Sequence, residues 1–511
     1  MNKKINFEKL INYNTSVIIL LVFNFFYRLF LYYSTDLFYF SDYEGYLNLI
    51  ESIKKTGYIG LASGPALLLN SYIGYFFKYV VGSIEYWYVF NCFLGTLSSI
   101  FLYVFLIKTF ESKKIGFVYL IIITIYSEFI ALSSVFYTQV IEIFLFSIII
   151  NCIRVFHRKT SLIKILYYML FIVLVVNLSF FFKGTLRYLW FVFASFSIFV
   201  YKKRKLALKY LILSLVLISF DYALLNLFPS INKIVSSNDV NNPAIIPHLL
   251  FGHTLYGGDG GEGTFIYSEN SQKFHRNYAL WMEKNNVINP TQETLYKFQK
   301  HEILSFVSDH PFKWIKLQVY KFTRTFGIVP EGTTFQILYS GLFKFNWILT
   351  SLFLQIPYTL ILILFILFFD FRIVKIILDD KLILIWLFLF IYWVGGSIFY
   401  GPFQERYRIP LMVIFIIPLL SIFLAQFNYY EFISNKFRIT LKVIFLFLIL
   451  SIWSFQGHHA LVIKKDRYIN FVNNTTNIND MVNQLDELGE NQSFSKKRAY
   501  KIIDSKNIIQ K

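Results

Sequence analysis

Two carboxylates stand close together in Ser41-Asp42-Tyr43-Glu44-Gly45-Tyr46, a few residues past the end of the first long apolar run of the chain. A carboxylate held where lipid meets water can take the proton from an attacking hydroxyl, the step that general base catalysis requires. Asp42 and Glu44 are the candidates for such chemistry. Tyr46, Leu49 and Ile50 follow at roughly helical spacing, so Asp42 serves equally as the cap of a helix lying on the membrane surface.

Cations that could meet an anionic substrate occur on the same expected side. Arg28 lies in the outer part of the first apolar run, Lys183 and Arg187 flank a short loop, and Arg406 and Arg408 stand in Gly401-Pro402-Phe403-Gln404-Glu405-Arg406-Tyr407-Arg408-Ile409-Pro410. An ionisable group within a span costs several kcal/mol unless it is paired or wet, so such groups mark cavities. Several cations around one cavity suit a phosphate or pyrophosphate. The plainer alternatives are snorkelling of Lys183 and Arg187 to headgroups, and an ion pair of Glu405 with Arg406 or Arg408. Farther on, Phe251-Gly252-His253-Thr254-Leu255-Tyr256-Gly257-Gly258-Asp259-Gly260-Gly261-Glu262-Gly263 packs five glycines into residues 257–263. Such a run lets backbone amides approach a ligand and leaves Asp259 and Glu262, with His253 nearby, to meet sugar hydroxyls or a cation. A flexible turn has the same composition. His248 and His253 show no metal-ligand spacing, and no metal or other cofactor is expected, although two acids beside a phosphate could hold a divalent cation.

The elements that must position these groups are membrane helices. The chain is 56% hydrophobic and contains 60 Phe, and its mean hydropathy is +0.54. That composition excludes an ordinary soluble domain and predicts an all-α polytopic membrane protein. Apolar runs predict about eleven spans, near 15–34, 86–107, 115–132, 136–153, 165–182, 186–201, 208–228, 345–368, 382–400, 409–427 and 439–456. The net charge of +19 sits mainly at the ends of these runs, where it reads as a topology signal rather than a nucleic-acid surface. With the N-terminus in the cytoplasm, short inner loops carry clusters such as Lys202, Lys203, Arg204 and Lys205, while the short outer connection at 133–135 has no Lys or Arg. The first run lacks a small-residue cleavage site and is expected to stay as a helix.

This orientation makes residues 1–456 a transmembrane domain with outer loops near 34–86 and 229–344, and 457–511 a polar tail outside. Residues 64–82 read as a re-entrant or juxtamembrane helix, and 294–326 mix aromatics and lysines as interfacial helices do. The two cysteines, Cys92 and Cys152, lie inside apolar runs and point to no disulfide framework.

The order of parts resembles the membrane glycosyltransferases of the GT-C fold, specifically glycosyltransferase family 39, which includes protein mannosyltransferase-like and aminoarabinose transferase-like enzymes. The likeness spans most of residues 10–427. It rests on Asp42, Tyr46 and Gly57-Tyr58 after the first helix, on Asp309-His310-Pro311 within 301–327, and on Glu405-Arg406-Tyr407-Arg408-Ile409-Pro410-Leu411 opening a late helix. Thr138-Gln139 stands where many relatives have Thr-Glu, so the second acidic position falls among Glu128, Gln139 and Glu142. Lys183 stands where they carry an Arg. The resemblance implies transfer of a sugar from a polyprenyl-phosphate donor to a hydroxyl of a glycan, lipid or protein acceptor. In it Asp42 is the base, and Lys183, Arg187, Arg406, Arg408 and Arg28 are candidates for the donor phosphate. It further implies a bacterial inner-membrane location with the site facing outward. A polymerase or ligase of lipid-linked glycans is the alternative enzyme, and a secondary transporter the non-enzymatic one; transporters tend to have repeats and broken helices with charge at mid-membrane.

Overall fold

A computed structural model describes residues 13–34, 42–57, 68–135, 138–157, 161–182, 185–235, 279–287, 292–312, 315, 347–368 and 405–426, together with scattered positions between 440 and 454. Among the described residues the protein is all-helical, and it is an integral membrane protein. Six helices among the described residues are long and apolar enough to cross a bilayer, and a bent pair makes up to seven.

The first span, α1, is Tyr13–Ser34, and the amphipathic α2, Asp42–Thr56, follows it. Gly57, at φ +76°, ends α2, a conformation that suits a residue without a side chain. The short α3, Leu68–Tyr75, runs on as the π-helical turn Phe76–Val81, a helix within the stretch 64–82 read above as re-entrant or juxtamembrane. The span α4, Glu85–Phe110, is joined to α5, Lys113–Ile125, by a two-residue turn. Glu111 takes a left-handed conformation in that turn, and Ser112 caps α5 by accepting a bond from the Ile115 amide at 3.4 Å.

After α5 the chain breaks. The short α6, Ser127–Ala131, and its 3-10 extension Leu132–Ser134 leave α5 at 65°. Residues 115–132, expected as one straight span, are therefore an interrupted one. The long helices α7, Gln139–Ile153, and α8, Leu162–Phe180, come next. They are followed by the short α9, Leu189–Phe199, and by α10, Arg204–Val235. Beyond these lie α11, Gln292–Asp309; α12, Trp347–Phe368; and the late span of α13, Glu405–Leu411, a π turn at Met412–Ile416, and α14, Ile417–Gln426. The expected span 382–400 and the tail lie outside the described residues.

Packing explains which helix faces are apolar where. On α8, Ile165, Met169, Ile172, Val173 and Val176 are buried, whereas Leu162, Ile163, Leu166, Leu170 and Leu174 are exposed. Both faces are apolar, as a helix with protein on one side and hydrocarbon on the other requires. Inside the bundle α4 lies between α1, α5 and α7, and α5 also meets α14, while α6 turns away to meet α12. The break thus hands the chain from one packing partner to another. Helix α2 folds back through Leu49 and Ile53 against Tyr72 and Tyr75 of α3, and Ile50 enters the main core.

Candidate functional site

Around the break the interior is polar. Glu128, in the first turn of α6, is 3% exposed and is surrounded by donors from three parts of the chain. Tyr126 Oη donates to its Oε2 at 2.7 Å, Gln355 Nε2 of α12 donates to Oε1 at 3.1 Å, and Arg408 of α13 donates to both oxygens, through Nε at 3.2 Å and through Nη2. Arg408 is itself fully buried, bonds Gln355 Oε1 at 3.1 Å, and lies 3.6 Å over the Tyr358 ring. A carboxylate with its lone pairs engaged by four bonds is in no state to act as a base. Glu128 therefore fixes helices α6, α12 and α13 together, and Ser127 Oγ adds a bond to the Phe353 carbonyl at 2.7 Å.

Arg28 approaches the same short helix from α1. It is fully buried, with Nε donating to Asn24 Oδ1 at 3.1 Å and Nη1 donating to the Phe129 carbonyl at 3.0 Å and Ser133 Oγ at 2.6 Å. Its guanidinium also lies 4.3 Å from the Phe129 ring centre. Asn24 is held in turn by Thr124 at 3.1 Å and Thr96 at 3.4 Å. All the acceptors of Arg28 are neutral, and among the described residues no carboxylate pairs with it. Gly95 makes the arrangement possible, because a Cβ there would come 2.5 Å from Nη1.

Arg187, just before α9, is half-buried and committed elsewhere. Its Nη2 donates to Asp221 Oδ2 of α10 at 2.9 Å, and its Nε faces Oδ1 at 2.9 Å as an ion-pair contact off the bonding direction. The pair is backed by the rings of Phe180 and Tyr188. On the α2–α3 side Glu51 meets Lys78 Nζ at 3.0 Å and accepts a bond from Tyr79 Oη. Burial and that bond to the carboxylate push the Tyr79 phenol above its ordinary range.

Of the other expected site residues, Asp42 opens α2, Glu44 and Tyr46 follow within its first turns, and Glu405 and Arg406 begin α13. Their side chains lie outside the described residues, as do Lys183, His253, Asp259 and Glu262. Gln139 and Glu142 sit one turn apart and buried in the first turn of α7, away from solvent. Among the described residues no group of His, Cys, Asp and Glu could hold a metal ion.

The sequence shows Arg28 as a charge within an apolar run and Arg408 as an outer cation ahead of one, and it offers Glu405 as the partner of Arg406 or Arg408, whereas Arg408 takes Glu128. Sequence reasoning missed Asp221 and Gln355. Asp221 carried the same signal as Arg28, a lone charge inside an apolar run; Gln355 carried none. No protein-family model matches the chain, and a search of curated proteins finds no significant match.

Proposed function

We propose that this protein is a GT-C-type membrane glycosyltransferase that moves a sugar from a polyprenyl-phosphate donor to an acceptor hydroxyl on the outer face of a bacterial inner membrane. The acceptor is a glycan, a lipid or a protein. Asp42 removes the acceptor proton as its oxygen attacks the anomeric carbon, and the phosphate leaves from the opposite side, so the anomeric centre inverts. Glu44 holds Asp42 or the acceptor. Phosphate is a good leaving group, so no second catalytic carboxylate at glycosidase spacing is needed.

The observation that carries this reading is the succession of α1 and α2. Seven residues separate the end of α1 from the start of α2, which begins at Asp42 and leans on the bundle through Leu49, Ile50 and Ile53. Arg28, on the preceding span, is a cation without a carboxylate among the described residues, about 9 Å along the helix axis from its end. An acid at the head of a surface helix and an uncompensated cation on the neighbouring span are the two parts that sugar transfer from a phosphate requires. A donor phosphate at Arg187 or Arg408 would have to compete with Asp221 or Glu128, which leaves Arg28, Lys183 and Arg406 better suited to that role.

The test is transfer in vitro from a panel of polyprenyl-phosphate sugars by wild type and Asp42→Asn. The variant is expected to lose about 100-fold to 10,000-fold in rate while remaining folded. Equal product from both would reject Asp42 as the base. One observation favours a second reading, secondary transport: the interrupted span carries the buried Glu128 that pairs with Arg408, and transporters likewise use broken helices with charged groups. Solute uptake into proteoliposomes, with no sugar transfer, would support it.

A further inference from the structure

A guanidinium buried in a helix bundle loses its hydration and needs a counter-charge. Arg408 and Arg187 meet this need with Glu128 and Asp221. Arg28 does not. Its three bonds, all to neutral acceptors, engage Nε and Nη1, and Nη2 is buried without an acceptor. Two other polar atoms near it are stranded as well. The Tyr119 hydroxyl of α5, within electrostatic reach of Arg28, is fully buried with no partner, and so is Ser134 Oγ, next in the chain to the Arg28 partner Ser133. The guanidinium is meanwhile held in place from below by Phe129 and across α4 by the bare backbone of Gly95. A cation fixed in orientation, with one N–H edge unbonded, is prepared for an oxyanion, because charge-assisted bonds are the strong ones.

We propose that Arg28 forms the charged floor of an anion-binding site inside the helix bundle. Its Nη2 edge takes an oxygen of a phosphate-type anion, and the Tyr119 hydroxyl supplies a second donor. The ion is either free phosphate or the head of a lipid-linked phosphate. The site deepens the transferase reading, which already offers Arg28 for the donor phosphate, and the lipid-linked source rests on that reading; a buried cation in a carrier would need an anion just as much.

Thermal unfolding of the full-length protein in detergent tests it. Sodium phosphate is compared with sodium chloride at equal ionic strength, and a long-chain polyprenyl phosphate with the corresponding alcohol. Wild type is expected to show a saturable rise of about 2–5 °C at saturating anion, absent in Arg28→Gln and weaker in Arg28→Lys. A response to both anions means that the headgroup suffices, and a response to the polyprenyl phosphate alone identifies a lipid-linked source; either supports the site. No shift with either anion, or equal shifts in wild type and Arg28→Gln, overturns it. Should Arg28→Gln fail to fold, Tyr119→Phe deletes an unpartnered hydroxyl and leaves folding intact; it is expected to weaken apparent affinity at least about threefold. Unchanged affinity in that variant would equally overturn the proposal. An anion shift that survives in a protein without transferase activity leaves this site standing and rejects the other reading.

Discussion

Replacing Glu128 by Gln leaves the shape of the side chain almost unchanged and removes its charge. Arg408, fully buried, then keeps a positive charge that has lost its carboxylate, although the Gln355 carbonyl oxygen at 3.1 Å and the Tyr358 face at 3.6 Å remain in contact with it. Removing one partner of a buried ion pair costs about 3–5 kcal/mol. The cation–π contact, about 2 kcal/mol when desolvated, is already present in the wild type and offers no new compensation. Against a total stability of about 5–15 kcal/mol the loss is large. Arg408→Gln strands the carboxylate instead and is expected to cost a similar amount. The double variant buries two neutral amides and should be less damaging than the sum by about 2–3 kcal/mol. Thermal melts read by fluorescence-detected size exclusion give the four corners of this cycle. Single variants that each cost under about 1 kcal/mol, or a double variant that is simply additive, would refute the view of Glu128 as a structural clamp.

Gly95→Ala would press a methyl group against the Arg28 guanidinium, so a net loss of about 1–2 kcal/mol is expected after the helix preference of Ala is counted; a stabilised variant would contradict the contact. Arg187→Met and Asp221→Asn, at a pair that is partly solvated, are expected to lower stability by about 1 kcal/mol or less, and unfolding of either variant at ambient temperature would show that pair to be far stronger. The proposed orientation places Lys55 outside and Glu111 inside. Lys55→Cys should therefore react with a membrane-impermeant thiol reagent on intact cells while Glu111→Cys does not, with native Cys92 and Cys152 silent because both are buried. The reverse pattern would invert the topology.

Spans such as 85–110 and 162–180 could be read directly from their apolar runs, because in a bilayer hydrophobicity and length nearly determine the element. Arg28, a charge within the first apolar run, and Arg408, just ahead of a late one, could also be read. Their partners could not. Glu128 and Arg408 are 280 residues apart, and nothing local says that α6 and α13 meet. The break at Tyr126 was hidden for a related reason: Ile125-Tyr126-Ser127-Glu128 contains neither Gly nor Pro. Its cause is tertiary, in the bonds from Ser127 to Phe353 and from Glu128 to Arg408 and Gln355. Asp42 was visible only as an acid in a plausible place, since spacing alone does not separate a cap from a base.

The 280-residue separation also bears on how the protein is made. At about 5–20 residues per second, a ribosome needs roughly 15–60 s after emitting Glu128 before Arg408 emerges. Throughout that interval the nascent chain holds an acid in a segment whose counter-charge does not yet exist. The kinked segment is therefore poorly suited to settle as an independent insertion unit, and its final seating has to wait for the late span, which makes the C-terminal third of the chain a requirement for assembling the N-terminal part.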